Sequence, residues 1–245
     1  MSDPVVYTSK NGTSLKLSEL ADTSEEASKN TTNISEEAVQ AFNAGIDCGK
    51  ANDLKAAQKN FAKAIELEPQ WPYPRFQQAF THLLQGEHAA ALASYRLVDQ
   101  LEPRGFFTSK TALNTLQRER DGEYPEGLYL YFVSHEWQEN DEDKIEVLTD
   151  IIERASNFSP AYQKLANLTE DHAQRLELID TGLSHHPDNE TRGMLLLNKA
   201  AIVNLNGDST EATAILGELI VDDETTANVV AIAKAALYSL YESNA

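Results

Sequence analysis

Cysteine is nearly absent from this sequence of 245 residues, which contains only Cys48. A single cysteine excludes an internal disulfide and any metal site built from several thiolates. Long apolar runs are absent as well, and none approaches the roughly 18 residues that a membrane-spanning helix needs. The first residues also lack the basic and apolar segments of a secretory signal. The sequence therefore predicts a cytoplasmic protein that does not engage a membrane.

Lysine and arginine are also scarce, with 20 of them against 39 aspartates and glutamates, and the formal net charge is −19. Because nucleic-acid binding needs a basic surface that displaces counterions from phosphates, nucleic acid is excluded as the main partner. The acid is concentrated between Asp121 and Glu153, where 11 acidic residues accompany one lysine. A solvated surface is one interpretation. The other is a docking face for a basic partner, formed by Glu136, Glu139, Asp141, Glu142 and Asp143.

Glycine and proline are few, 11 and 8 residues, whereas alanine, leucine and glutamate are plentiful, and this balance favours helices. The first 35 residues differ because they are rich in Ser, Thr, Asn and Glu and show no sustained periodicity. Such a segment cannot bury enough apolar surface to offset the entropy of ordering it. We predict a flexible polar and acidic arm over residues 1–35. A short strand or turn around residues 5–7 and 15–20 is the alternative.

A repeat begins after this segment. The tripeptide Leu67-Glu68-Pro69 reappears further along the chain as Leu101-Glu102-Pro103. The same shift relates Gly45 and Ala79, Asn52 and Gly86, Ala57 and Ala91, Phe61 and Tyr95, and Ala64 and Val98. Small residues allow two helices to cross closely, larger ones fill the space between pairs, and each proline stops a second helix. One such repeat cannot cover its own apolar face, so the repeats must stack.

A repeat length of about 34 residues with these residue types resembles the tetratricopeptide-repeat family. The resemblance implies an all-α fold, a right-handed solenoid of about four or five helix pairs with a closing helix. We expect two well-formed units over residues 36–103, an inserted helix and loop over 104–126, degenerate helix pairs over 127–221 and a capping helix over 222–245.

Residues that often carry catalysis or bind metals are present but are not grouped. The segment His135-Glu136-Trp137-Gln138-Glu139 begins like a zinc-protease helix, yet it lacks the second histidine. The sequence has no glycine-rich phosphate loop, nucleophile elbow or Cys–His arrangement, and no carboxylate is singled out by an apolar setting. We therefore predict a protein that is not an enzyme and uses no metal or cofactor.

In the tetratricopeptide family, the first helix of each pair lines a concave groove that holds a peptide or helix of a partner. The best-known groove clamps the C-terminal carboxylates of cytosolic chaperones with lysine, asparagine and arginine side chains. This sequence has Phe42, Ile46, Gln77, Leu130 and Ser134 at those positions. The departure from the pattern excludes a chaperone carboxylate tail as the ligand.

The groove positions of this sequence are instead apolar. If nine of them face the groove, they form a trough suited to an amphipathic helix or a hydrophobic peptide. The nine are Val39, Phe42, Ile46, Tyr73, Phe76, Phe80, Leu130, Val133 and Trp137. Two registers stay open for the second repeat. Strict repetition places Arg75, Gln78 and His82 on the packing face, whereas a shift of one residue makes Phe76 and Phe80 part of the core.

The sequence thus predicts a non-catalytic scaffold or adaptor that binds a peptide or helix of a partner protein through its concave face. The expected partner carries an apolar helix or a basic patch. The alternative is an accessory subunit of an enzyme or secretion complex that presents a protein substrate.

Overall fold

The computed structural model describes residues 3–21 and 34–244, which contain a two-stranded antiparallel hairpin and thirteen α-helices. The N-terminal elements are β1 (Val5–Thr8), β2 (Ser14–Lys16) and α1 (Leu17–Ala21). The next helices are α2 (Glu36–Lys50), α3 (Leu54–Leu67), α4 (Pro72–Leu84), α5 (His88–Leu101), α6 (Ser109–Arg120) and α7 (Leu128–Val133), which continues as a 3-10 helix over Ser134–Trp137. The last are α8 (Asp141–Arg154), α9 (Ser159–Leu168), α10 (His172–Ser184), α11 (Asn189–Leu205), α12 (Ser209–Val221) and α13 (Ala227–Asn244).

The chain forms two compact units. One comprises residues 34–130, and the other combines residues 131–244 with residues 3–21. The boundary between the units falls within α7. Among the helices of residues 3–21 and 34–244, none combines the length and the apolar character that crossing a bilayer requires.

In the unit of residues 34–130, α2 packs with α3 and α4 packs with α5. Gly45 lies where α2 crosses α3, since a Cβ atom added there would be 2.5 Å from the ring of Phe61. Its counterpart in the next repeat, Ala79, is completely buried, as are Ala57 and Ala91 on the second helix of each pair. The same small residues therefore serve the same crossings in both pairs. This confirms the predicted tetratricopeptide-type arrangement.

The turns inside the two pairs also repeat. Asn52 has a φ of 60°, and its counterpart in the next repeat, Gly86, has a φ of 74°. Both values lie in the left-handed region, which glycine adopts freely and asparagine tolerates better than most residues. The turn of each pair thus uses the backbone conformation that its residue type favours.

In the unit that contains residues 131–244, α9 packs with α10, α11 packs with α12, and α13 closes the row. Gly193 of α11 provides a close crossing, because a Cβ atom there would be 2.7 Å from Val229 Cγ2 on α13. Gly182 of α10 provides a close crossing within the pair α9–α10, where a Cβ atom would be 3.1 Å from Tyr162 Cβ. Helix pairs with small residues at their crossings therefore occur in both units. The all-α fold predicted for the chain is confirmed.

Residues 3–21 are folded, which corrects the prediction of a flexible arm for this part of the chain and agrees with the alternative of a short strand or turn around residues 5–7 and 15–20. The strands β1 and β2 pair antiparallel with Tyr7 opposite Leu15, and α1 follows at once. Leu15 and Leu20 are 9% and 2% exposed, and they join a core cluster with Leu216 of α12 and Leu237 of α13. The segment is ordered because distant helices cover its few apolar side chains. Residues 22–33 of the predicted arm lie outside the described residues.

Tyr7 anchors this N-terminal segment on α12. Its ring lies against the backbone of Gly217, where a Cβ atom would overlap the ring. Its hydroxyl donates a hydrogen bond to the carboxylate of Glu218. Burial and this carboxylate together raise the pKa of Tyr7 to about 12. The glycine therefore forms a slot for the tyrosine ring, and the neighbouring glutamate holds its polar end.

Candidate protein-binding surface

Six aromatic residues from α2, α4 and the loops before α4 and α6 form a continuous set of ring contacts in the unit of residues 34–130. We call this set the aromatic row: Phe42, Trp71, Tyr73, Phe76, Phe106 and Phe107. The ring centroids of Phe42 and Trp71 are 5.0 Å apart, and those of Tyr73 and Phe106 are 4.8 Å apart in an edge-to-face arrangement. Such distances and angles are favourable for aromatic pairs. The row therefore holds together through its own side chains.

Most of the row is at least half-buried, but Phe107 is 61% exposed. Its ring centroid lies 5.6 Å from that of Tyr73 and 5.5 Å from that of Phe76. The backbone of Phe107 has a φ of 47°. A bulky residue rarely adopts this left-handed conformation, which costs on the order of 1–3 kcal/mol and often marks a functional position. Phe107 thus combines a strained backbone with an exposed apolar ring.

The structure brings together only some of the predicted groove residues. Phe42 contacts Tyr73 directly, and Tyr73 is connected to Phe76 through the ring of Phe107. The remaining predicted residues of this unit are the 37% exposed Val39 and the half-buried Ile46, Phe80 and Leu130. Val133 and the 56% exposed Trp137 belong to the other unit. The candidate surface is therefore the part that lies within residues 34–130.

The second repeat shows how Phe76 and Phe80 relate to the core. Ala79 and Leu83 of α4 are buried, at 0% and 1% exposure. Phe76 and Phe80 are both half-buried. Phe76 contacts the buried ring of Tyr95 on one side, at 5.7 Å between centroids, and Phe107 on the other. Phe76 therefore connects the core of the second repeat with the exposed end of the aromatic row.

Phe107 and Trp71 were missed as candidate site residues by the sequence analysis. The signal for Phe107 was present, because Phe107 follows Tyr73 by one full repeat length. Val39 precedes Tyr73 by the same interval. The three positions form one row of the repeat. The absence of a third Leu-Glu-Pro motif concealed this relation.

The five residues of the predicted acidic face are all exposed and surround the start of α8. Asn140 caps this helix, its side chain accepting a hydrogen bond from Asp143 N at 2.8 Å. Acids in the first turn of a helix are stabilised by the helix dipole. Asp141 also forms an ion pair with Lys144 at 2.8 Å, and Glu136 forms one with Lys164 at 3.6 Å. Several of these acids thus have a structural role at the helix end.

The buried polar groups have local roles as well. His135 is 5% exposed and its Nδ1 lies 2.5 Å from the carbonyl oxygen of Phe132. Burial lowers the pKa of His135, so its ring is neutral near pH 7. Burial raises the pKa of Glu119, whose carboxylate accepts hydrogen bonds from the backbone N–H groups of Gly127 and Tyr129. This glutamate fixes the start of α7.

Within residues 3–21 and 34–244, no three His, Cys, Asp or Glu side chains are grouped so that they could hold a metal ion. His82 Nδ1 lies 2.5 Å from the Glu87 carboxylate, and His88 lies near two carboxylates. The Nδ1 of His88 lies 3.9 Å from Glu119, and its Nε2 lies 3.9 Å from Glu126. Both of these His88 distances are at the outer limit of an ion pair.

The helix pairs α2–α3 and α4–α5, offset from each other by one repeat length, define this part of the chain as a tetratricopeptide-type repeat. No protein-family model and no curated protein sequence matches the chain. Similar solved structures include residues 41 to the end of MamA from Desulfovibrio magneticus RS-1, at 14% identity over 76% of this chain and 94% of that one, with a TM-score of 0.36.

Two further similar structures are described as tetratricopeptide-repeat proteins. TTC0263 from Thermus thermophilus is 15% identical over 82% of this chain and 98% of its own, with a TM-score of 0.35. YrrB, described as having an unusual peptide-binding site, is 12% identical over 94% of this chain and 98% of its own, with a TM-score of 0.33. The assignment of the repeat rests on the helices and spacings of this chain.

Proposed function

We propose that the protein is a non-catalytic scaffold that binds an apolar segment of a partner protein through the aromatic row. The observation that carries this proposal is the exposed and strained Phe107, which extends the row beyond the packed helices. An exposed aromatic side chain that already contacts other rings is the type of residue that anchors protein interfaces. The partner covers Phe107 and contributes apolar side chains of its own.

The charge of the unit supports an apolar rather than an ionic contact. Residues 34–130 contain 13 acidic and 10 basic residues, which leaves a net charge of only −3. The predicted groove residues near the row, Val39 and Ile46, are also uncharged. We therefore infer that a hydrophobic peptide or the apolar face of a helix binds here. The acidic residues of the second unit favour a partner that is basic elsewhere in its sequence.

The test uses the purified full chain and a random peptide library. Peptides selected on the wild-type chain should be rich in apolar residues. They should bind the Phe107→Asn variant at least about tenfold more weakly, because the exposed aromatic ring is lost. Asparagine tolerates the left-handed backbone, so this variant keeps the loop conformation.

Leu97→Asn is the matched control. Leu97 is 42% exposed on α5 of the same unit, but it has no place in the aromatic row. Its substitution should leave peptide affinity unchanged. Equal losses in both variants, or no loss in Phe107→Asn, would refute the proposed surface.

A further inference from the structure

A second apolar site lies in the other unit, between α11 and α13. It is an open cavity of about 530 Å³, with the buried Leu216 of α12 among the residues of its lining. Met194 and Leu197 of α11 and Ile232 and Leu240 of α13 are among its other apolar lining residues. Its volume is within the range of about 300–1,000 Å³ that is typical of ligand sites. The cavity therefore has the size and the lining of a binding site.

The polar groups of the cavity are few and uncharged. They belong to Asn198, Asn204 and Ser239. Asn198 already bonds to the side chains of Arg175 and Asn167, at 3.0 and 2.7 Å, and Asn204 accepts a hydrogen bond from Ser209. The lining thus offers mainly apolar contacts.

Two large apolar side chains of the cavity are exposed to solvent. Leu205 is 69% exposed at the end of α11, and Ile232 is 41% exposed on α13. The N-terminal segment covers a neighbouring face of α13, where Leu20 joins the cluster that contains Leu237. The described residues of the chain thus cover one face of the closing helix and leave the cavity face open.

The cavity is elongated. Its lining residues on α11 run from Met194 to Leu205, which corresponds to about 16 Å along the helix axis. This length matches about three turns of a second helix. A groove of this shape suits the apolar face of an amphipathic helix, with side chains at i, i+3 or i+4, and i+7.

The surroundings of the cavity are negatively charged. From residue 200 to the end of the sequence, seven acidic residues accompany a single basic residue, Lys234, and Lys199, which precedes the lining residue Ala200, is paired with Asp180 at 2.7 Å. Asp208 and Glu211, both exposed, closely follow the exposed Leu205, and Glu242 closely follows Leu240. The carbonyl end of α11 adds partial negative charge at Leu205. A partner with positive charges beside its apolar face is complementary to this rim.

We propose that the cavity between α11 and α13 binds a short amphipathic helix of a partner protein, with leucine-like side chains on its apolar face and lysine or arginine beside them. This site is separate from the aromatic row and does not depend on it. Apolar burial provides the affinity, and the acidic rim selects the charge of the partner.

The probe is a fluorescein-labelled synthetic peptide of about three helical turns, with leucines at helical spacing and lysines at the other positions. Fluorescence anisotropy with the full chain should show saturable binding that weakens between about 50 and 300 mM salt. Placing a cation in the cavity with Ile232→Lys should weaken the binding at least about tenfold. Phe107→Asn should leave it unchanged, which separates this site from the aromatic row.

Ile145→Lys is the matched control, because Ile145 is 38% exposed on α8 of the same unit and the charge change is identical. Equal losses in both lysine variants would show attraction to the charge of the unit as a whole and would overturn the proposal. Equal binding of a peptide with glutamates in place of the lysines would overturn it as well. So would occupation of the cavity by a neutral apolar dye that the lysine peptide does not displace.

Discussion

The two regions of the chain differ in charge and in aromatic content. Residues 34–130 contain 13 acidic and 10 basic residues, together with 11 of the 19 aromatic side chains. Residues 131–245 contain 21 acidic and 7 basic residues, and only 7 aromatic ones. Both regions are built from helix pairs that cross at small residues. The first region exposes an aromatic ring on a nearly neutral surface. The second exposes leucine and isoleucine beside carboxylates. One architecture therefore presents two surfaces of different chemistry.

The spacing of the helices differs as well. The same repeat length separates Gly45 from Ala79 and Tyr73 from Phe107. In the second unit, every other helix begins at an unequal interval along the chain. The helix α9 begins at Ser159, α11 at Asn189 and α13 at Ala227. The helix crossings tolerate these changes because the connecting loops absorb them. The second unit therefore keeps tight helix crossings although its sequence has no regular repeat length.

The largest expected effect is a loss of stability when a glycine at a helix crossing is replaced. Comparing this loss in the two units tests whether their helix crossings are equally tight. In Gly45→Val, the new side chain would overlap the ring of the buried Phe61, and in Gly193→Val it would overlap Val229. Each substitution should lower the free energy of unfolding by about 3 kcal/mol, because neither neighbour has space to move. Urea denaturation followed by circular dichroism measures both losses.

Gly49→Val is the control for the first substitution. Gly49 lies on the same helix as Gly45, but apart from its chain neighbours and the adjacent backbone of its own helix no atom is within 4 Å of the position that its Cβ would occupy. This variant should be nearly as stable as the wild type. A small loss in Gly193→Val and a large one in Gly45→Val would show that the crossings of the second unit are looser than those of the first.

The predictable part of this molecule is the part whose contacts lie within one repeat length. Leu67-Glu68-Pro69 and its copy located α3 and α5 because the helix end and its proline are adjacent in sequence. The contact of Tyr7 with Glu218 joins residues 211 positions apart. A contact of that separation leaves no periodic signal, so the sequence pattern predicted a flexible arm where the chain is folded. Phe107 was missed for another reason, since it lies before the start of α6 at Ser109, whereas its counterpart Tyr73 lies within α4.

The second expected effect concerns the N-terminal segment, residues 3–21, which belongs only to the unit of residues 131–244, here called the acidic unit. Leu20 is 2% exposed within the cluster formed with α12 and α13. Leu20→Ala should lower the free energy of unfolding by about 2 kcal/mol, because it removes buried methyl groups and leaves a cavity. Hydrogen exchange should also become faster in residues 3–21 and in α13.

Val5→Ala is the control, since Val5 is 55% exposed in the same segment. It should change the stability little. If Leu20→Ala left both the unfolding free energy and the exchange of α13 unchanged, the segment would not contribute to the stability of the acidic unit.

The smallest expected effect is the alkaline sensitivity of the same segment. Burial and the nearby Glu218 carboxylate raise the pKa of Tyr7 from about 10 in the unfolded chain to about 12 in the folded one. The folded state therefore holds the phenol proton more tightly, and the stability that Tyr7 contributes is complete below pH 10 and lost as the pH rises to 12.

The Tyr7→Phe variant has no such proton. The difference in unfolding free energy between the wild type and Tyr7→Phe should therefore shrink from pH 9 to pH 11.5, as measured by urea denaturation. All other tyrosines are common to both proteins, so their ionisation cancels in this comparison. A difference in unfolding free energy that stayed constant over this interval would show that Tyr7 ionises without disturbing its slot beside Gly217.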